Sequence, residues 1–316
     1  MDRISLDPGR IDLTDERFRT SFFGSPDKLV LSIKRIGLLH PPLVMKQDGR
    51  WVLVSGWKRV LACRALGLAP IDVLDTEEKD PLKNFLLCFL ENLATREFGL
   101  VEKAEVLARL VSLGERREAV IKEIMPLLDL DQNENILRAY QDIGGFSREI
   151  KKGLEEMETP FPVARQLIQF SGEERAAIFP HLLPLGQNKQ KEVLENLWEV
   201  TRRDRVSAMD VLGSEPVGEV TDEGNLSSLQ RSEGLRRVLS RMRFPAVSRR
   251  EEDFNETIRG LDLPPEVGLT PPAFFEKNEV RISFPVRSPE ALRSILDRLG
   301  RLSRDERFGE LFDWLK

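Results

Sequence analysis

At 316 residues the chain is about twice the length of a usual domain, so two or three folded units are expected. With 41% hydrophobic residues and a net charge of −5, it excludes both wholesale disorder and a uniformly basic nucleic-acid coat. Two cysteines and two histidines are too few for a zinc finger or ribbon, and Cys63 and Cys88 sit in apolar stretches, as buried reduced thiols do.

The first segment, MDRISLDPGR, has no apolar core of a signal peptide. The longest apolar run, Phe85 to Leu90, is far short of the roughly 20 residues that span a bilayer. A cytoplasmic protein without a membrane partner is expected. Leu29 to Ile36 reads as an amphipathic helix stopped by Gly37. Pro42 to Lys46 and Trp51 to Val54 read as strands joined by the turn Gln47-Asp48-Gly49-Arg50, whose Asp-Gly pair is a hairpin signal. Ser55-Gly56 breaks the second strand, Trp57 to Leu66 has helical spacing and ends at Gly67, Pro70 to Leu74 is a further strand, and Pro81 to Leu93 opens a long helix.

Strand signals then vanish. Helix-period segments follow at Val101 to Leu113, Arg116 to Leu128, Asn133 to Asp142, Ser147 to Glu156, Phe161 to Phe170 and Lys189 to Arg202. The short link Asp129-Leu130-Asp131-Gln132 between the second and third suits a helix-turn-helix, a pattern shared with helical bundles that never touch DNA. Residues 213–228 have a linker's composition. Beyond them come helices at Leu229 to Met242 and Glu251 to Leu261, a strand at Val280 to Val286, and a helix from Ala291 to Arg301 capped by Ser288 and Pro289. The chain therefore reads as an α+β multidomain protein. A small α/β domain spans residues 1–97, an all-helical helix-turn-helix domain 98–212, a linker 213–228, and a small carboxyl-terminal α/β unit of unassigned role 229–316.

Two stretches carry candidate chemistry. In VSGWKRVLA, Val54 to Ala62, a strand, a glycine break and a helix start bring free N–H groups and the positive dipole end together with Lys58 and Arg59, which suits a phosphate. An ordinary strand-to-helix turn with two solvated cations would look the same. In ENLATR, Glu91 to Arg96, Glu91 and Asn92 offer two hard oxygen ligands of the kind Mg²⁺ takes beside nucleotide phosphates, and Arg96 is placed to pair with those phosphates. A solvated helix end is the plain alternative.

For DNA, Gln132, Asn133 and Asn135 are of the type that reads adenine edges, and Arg138 would reach guanine or phosphate. Residues 98–152 carry nine Lys/Arg against ten Asp/Glu, which argues against strong non-specific binding. The stretch Gln230 to Arg250 differs, with seven arginines against the single acid Glu233; it suits phosphate, an acidic partner, or a solvated helix paired with acids that follow it.

Taken in order, LVLSIKRIGLLHPPLV (Leu29 to Val44), the GWKR turn with Ala62, and ENLATR followed by VEKA (Val101 to Ala104) resemble the amino-terminal domain of the ParB family. That family reads L..SI...G..QP..V, GERR..RA and ENLQR....EEA. The helical segment, with SREIKKGL (Ser147 to Leu154) and ARQL (Ala164 to Leu167), is similar to its central helix-turn-helix domain, so the likeness spans roughly Ile11 to Leu212. It implies a ParB/sulfiredoxin-like fold that binds CTP or another NTP with Mg²⁺, has slow NTPase activity, and binds a specific DNA site. It also implies a homodimer and a ParA-like ATPase or other protein partner.

By the same likeness Gly37, His40, Ser55, Gly56, Lys58, Arg59, Asn92 and Arg96 are nucleotide-binding, Glu91 and Asn92 hold the metal, and Glu91 serves hydrolysis. His40 stands where the family has Gln, Trp57 replaces the GERR glutamate, Lys58 its first arginine, and Thr95 the arginine of ENLQR. Lys for Arg loses bidentate phosphate geometry. Sulfiredoxins carry a catalytic cysteine where Trp57 stands, so their chemistry is not expected. A degenerate ParB-fold scaffold or regulator that binds a protein partner is the alternative.

Overall fold

Five short strands make the first sheet: β1 (Asp2–Leu6), β2 (Ile11–Asp12), β3 (Leu43–Gln47), β4 (Arg50–Ser55) and β5 (Ile71–Asp75), in the order β1-β5-β3-β4-β2. The computed structural model describes residues 1–316 apart from 22–23, 222–223, 262, 273–274 and 313–316. Strands β3 and β4 pair antiparallel with Gln47 opposite Arg50, and Asp48 and Gly49 both have positive φ, 51° and 76°, as a two-residue hairpin turn requires. The inner strands are apolar on both faces: Leu43, Val44 and Met45 of β3 and Val52, Leu53 and Val54 of β4 are all buried. The helices α1 (Asp27–Ile36), α2 (Trp57–Ala65) and α3 (Pro81–Leu93) accompany this sheet, with α1 against α2 and α3 against β4. The expected strands and helices of this segment are all present; β1 and β2 are additional.

Helices follow: α4 (Leu100–Ser112), α5 (Arg117–Ala119), α6 (Glu134–Gly144), α7 (Arg148–Glu156), α8 (Phe161–Leu167) and α9 (Gly172–Leu182). The stretch expected as one helix from Arg116 to Leu128 stays helical but changes pitch, passing from α5 through a π turn at Val120–Ile124 to a 3-10 turn at Met125–Leu128. Pro126 lies in that last turn, where its missing N–H cannot serve an α-helical bond. The buried carboxylate of Glu105 on α4 ties this helix to α7, Lys151 Nζ meeting its Oε1 at 2.5 Å, while Arg109 Nη2 of the same helix meets its Oε2 at 3.3 Å. Arg109 Nη1 also donates to the carbonyls of Glu16 and Arg17 at 2.8 and 2.5 Å, fastening α4 to the loop before α1.

The chain forms two compact units, Met1–Leu194 and Glu195–Lys316, dividing inside α10 (Gln187–Asp204). The first holds the α/β segment and the helices through α9. The second contains α11 (Ala208–Leu212), α12 (Glu215–Thr221), α13 (Ser228–Arg243), α14 (Pro245–Arg259), β6 (Gly268–Thr270), β7 (Arg281–Ser283), α15 (Pro289–Leu302) and α16 (Glu306–Glu310). Residues 213–228, of linker composition, carry α12; positions 222 and 223 among them lie outside the described residues. Phe254, Leu261, Phe275, Leu302 and Leu311 form a core here, with Leu299 packed against it, whereas Leu296 is 52% exposed. Among the described residues no helix is long and apolar enough to cross a membrane.

Candidate functional site

The strand-to-helix turn after β4 is shaped by Gly56. Its φ of +101° lies in the left-handed region, and a Cβ there would sit 3.1 Å from Pro42 Cβ and 3.2 Å from Arg59 Nε. Helix α2 starts at the next residue with no side-chain cap, which leaves the N–H groups of its first turn and its positive end open. In front of this turn lies a cavity of about 410 Å³. Ser55 to Arg59 form one wall, Cys88, Asn92 and Arg96 another, the loop from Phe18 to Ser21 a third, and Glu102 of α4 with Glu155 of α7 complete it.

The cavity's charges are largely matched. Arg59 donates from Nη2 to Glu91 Oε1 at 2.7 Å and from Nη1 to the carbonyls of His40 and Pro41 at 3.1 Å each. The Ser55 hydroxyl donates to the other oxygen of Glu91. Arg96 Nη1 meets Glu102 Oε2 at 2.5 Å, its Nε reaches Asn92 Oδ1 at 3.4 Å, and its guanidinium lies 4.6 Å over the Phe98 ring. Among the described residues no ion pair engages Lys58. Burial, reinforced by the Glu102 charge and opposed by Arg96 and Lys58, raises the Glu155 carboxyl above its ordinary range. Burial, with the Glu91 charge adding to it, pushes the Cys88 thiol up to about 12, and burial also raises Cys63. Both thiols are thereby kept protonated and unreactive.

Of the nucleotide residues read from the sequence, Ser55, Gly56, Lys58, Arg59, Asn92 and Arg96 line this one cavity. Glu91 stands beside it, gripped by Ser55 and Arg59. His40 is exposed and offers its carbonyl to Arg59, and Gly37 caps α1 without lining the cavity. Sequence reasoning passed over the Phe18 to Ser21 loop, Glu102 and Glu155. Glu102 lies in the VEKA string, a usable signal; Glu155 is an ordinary helix glutamate until the fold brings α7 to the cavity. As metal ligands Glu91 and Asn92 have the right oxygen chemistry for Mg²⁺, which keeps several waters and needs few protein ligands. Among the described residues no group of three or more His, Cys, Asp or Glu is arranged around a metal position.

The helix proposed to read DNA uses its polar groups differently. Asn133 caps α6, its side-chain oxygen accepting from the N–H groups of Asn135 and Ile136 at 2.8 and 3.4 Å. Glu134 binds Arg117 at 2.6 Å and Arg138 at 3.0 Å, and those cations hold its carboxyl below the usual range. Gln132 donates to the Lys122 carbonyl at 3.4 Å, while the side chain of Asn135 is exposed.

No protein-family model matches the chain. It is 30% identical over 111 residues to the probable chromosome-partitioning protein ParB of Treponema pallidum, covering 34% of this chain and 34% of that protein. It is 29% identical over 170 residues to the chromosome-partitioning protein Spo0J of Thermus thermophilus, covering 53% and 60%. The match thus spans between a third and three-fifths of these curated relatives. Among solved structures, the C-terminally truncated ParB of Caulobacter crescentus complexed with CTP-gamma-S aligns over 56% of this chain and 97% of that one, at 19% identity and a TM-score of 0.28.

Proposed function

We propose, from its similarity to ParB chromosome-partitioning proteins, that this is a ParB-like DNA-binding protein of the cytoplasm whose first unit binds CTP or another NTP in the cavity before α2. Its process is DNA partition or transcriptional control, with a ParA-like ATPase and a second copy of the chain as partners. One observation carries the nucleotide half: Ser55 to Arg59 and, more than thirty residues on, Asn92 and Arg96 meet around a single cavity of about 410 Å³, a volume usual for small-ligand sites.

The open end of α2, Lys58 and Arg59 would take the phosphates. Of the four cations that line the site among the described residues, Arg19 is paired with Glu16, Arg59 with Glu91 and Arg96 with Glu102, and Glu155 lies in the same wall, so the site has little net positive charge to offer a polyanion. Mg²⁺ held by Glu91 and Asn92 would supply the missing charge and polarise the phosphate oxygens. Both oxygens of Glu91 are already engaged by Ser55 and Arg59, which leaves it poorly placed to take a proton from water, in keeping with slow NTP hydrolysis. On the DNA side Asn135 and Arg138 are the readers, with Gln132 beside them; Asn133 has its oxygen committed to the cap and keeps only its amide N–H₂ for a base.

The pairs Arg59–Glu91 and Arg96–Glu102 favour a second reading, in which the cavity's charges hold the fold and the chain is a scaffold for a protein partner. Calorimetric titration with CTP, ATP, GTP and UTP in Mg²⁺ separates the two. Binding that disappears in Arg59→Ala supports the nucleotide site, and no heat with any of them leaves the scaffold. Genome-wide immunoprecipitation without an enriched site would remove the DNA half.

A further inference from the structure

Two polar atoms in the cavity wall lack partners. The indole Nε1 of Trp57 and Oε2 of Glu155 are buried, and neither has a hydrogen-bond partner among the described residues. Trp57 is only 8% exposed, Glu155 is half-buried, and both residues belong to the cavity wall. Buried polar groups in folded proteins are nearly always satisfied, and leaving one bare costs more than its bond is worth. An indole N–H only donates and a carboxylate only accepts, so the two require opposite groups from a ligand.

Phosphate does not answer Glu155. The wall from α2 carries Lys58, Arg59 and the open helix end, whereas the wall from α4 and α7 carries Glu102 and Glu155. Carboxylate and phosphate repel, more strongly in a partly buried site than in water. A hydroxyl or amino group, which brings an O–H or N–H without negative charge, is the complement. The Glu155 carboxylate lies beside Gly99 at the start of α4, where a Cβ would come within 3.2 Å of its Oε1 and 3.4 Å of its Oε2.

We propose that Glu155 is a specificity-determining residue, accepting a hydrogen bond from the nucleoside part of a phosphorylated ligand while Trp57 donates to an acceptor on that same part and α2 holds the phosphates. This rests on the cavity being a nucleotide site. Trp57 occupies the position where the resembled family has glutamate, so the donor is a feature of this chain's own sequence.

The full chain is titrated with CTP and with inorganic tripolyphosphate, each with Mg²⁺, in the wild type, Glu155→Ala, Glu155→Gln and Trp57→Phe. The wild type is expected to prefer CTP by at least about tenfold. Glu155→Ala loses most of that preference and binds tripolyphosphate as well as or better than the wild type. Glu155→Gln, which keeps a carbonyl acceptor, retains part of the preference, and Trp57→Phe weakens CTP without weakening tripolyphosphate. A preference that survives Glu155→Ala, or equal binding of both probes by the wild type, overturns the role of Glu155 alone. Binding of neither probe overturns the nucleotide reading of the cavity and the role of Glu155 with it.

Discussion

The cavity before α2 and the helix α6 are both polar, and they use their side chains in opposite ways. Around the cavity, groups from β4, α2, α3, α4 and α7 converge, and among the described residues Trp57 Nε1 and Glu155 Oε2 have no hydrogen-bond partner and Lys58 has no ion pair. At the start of α6, Asn133 is spent on the cap and Glu134 on two arginines, Arg138 among them, while the Asn135 side chain stays exposed. A group satisfied within its own turn stabilises the fold, whereas unspent groups gathered from distant segments mark a place for a ligand.

The largest effect expected is from Gly56→Ala. The left-handed backbone and the close approach of Pro42 should together cost about 1–3 kcal/mol of stability, measured by chemical denaturation, and nucleotide binding should be lost with the turn. A variant that melts and binds as the wild type would break the claim that this turn builds the site. Next comes Arg59→Ala, which removes a proposed phosphate ligand and strands Glu91. Nucleotide affinity should fall by about 2–3 kcal/mol, roughly 30- to 150-fold, in a calorimetric titration.

The α6 side of the contrast is sharpened by a pair of substitutions. Asn135→Ala should leave the melting temperature unchanged and cost about 1–3 kcal/mol of DNA discrimination, read in a competition binding assay. Asn133→Ala should lower stability by about 1 kcal/mol through the lost cap, seen by denaturation in the absence of DNA. If the two behave alike, the separation of cap from reader is wrong. The smallest effect is an absence of reaction. With its thiol pushed up to about 12, Cys88 should resist alkylation at pH 8 in the folded protein and react only on unfolding, as mass spectrometry would record.

Much of this was legible in the amino-acid order. The Asp-Gly turn and the flanking apolar runs give β3 and β4, and Gly56 followed by a helical period gives α2, because each is set by local backbone chemistry. The strands β1 and β2 were not, being edge strands of mixed composition whose partners, β5 and β4, lie far along the chain. The helix α12 sits in a stretch of linker composition and is held by packing against α13. Within the cavity, Ser55, Gly56, Lys58 and Arg59 could be named from one short string, whereas Glu155 carries no local mark and enters only through the packing of α7.

The contrast is tested most directly by hydrogen exchange across the whole chain, with and without saturating CTP and Mg²⁺. The amides of Trp57, Lys58 and Arg59, which open α2 without a side-chain cap, should become markedly protected, while those of α6 keep their rates. Unchanged exchange at Trp57 to Arg59, or protection confined to α6, would contradict the account.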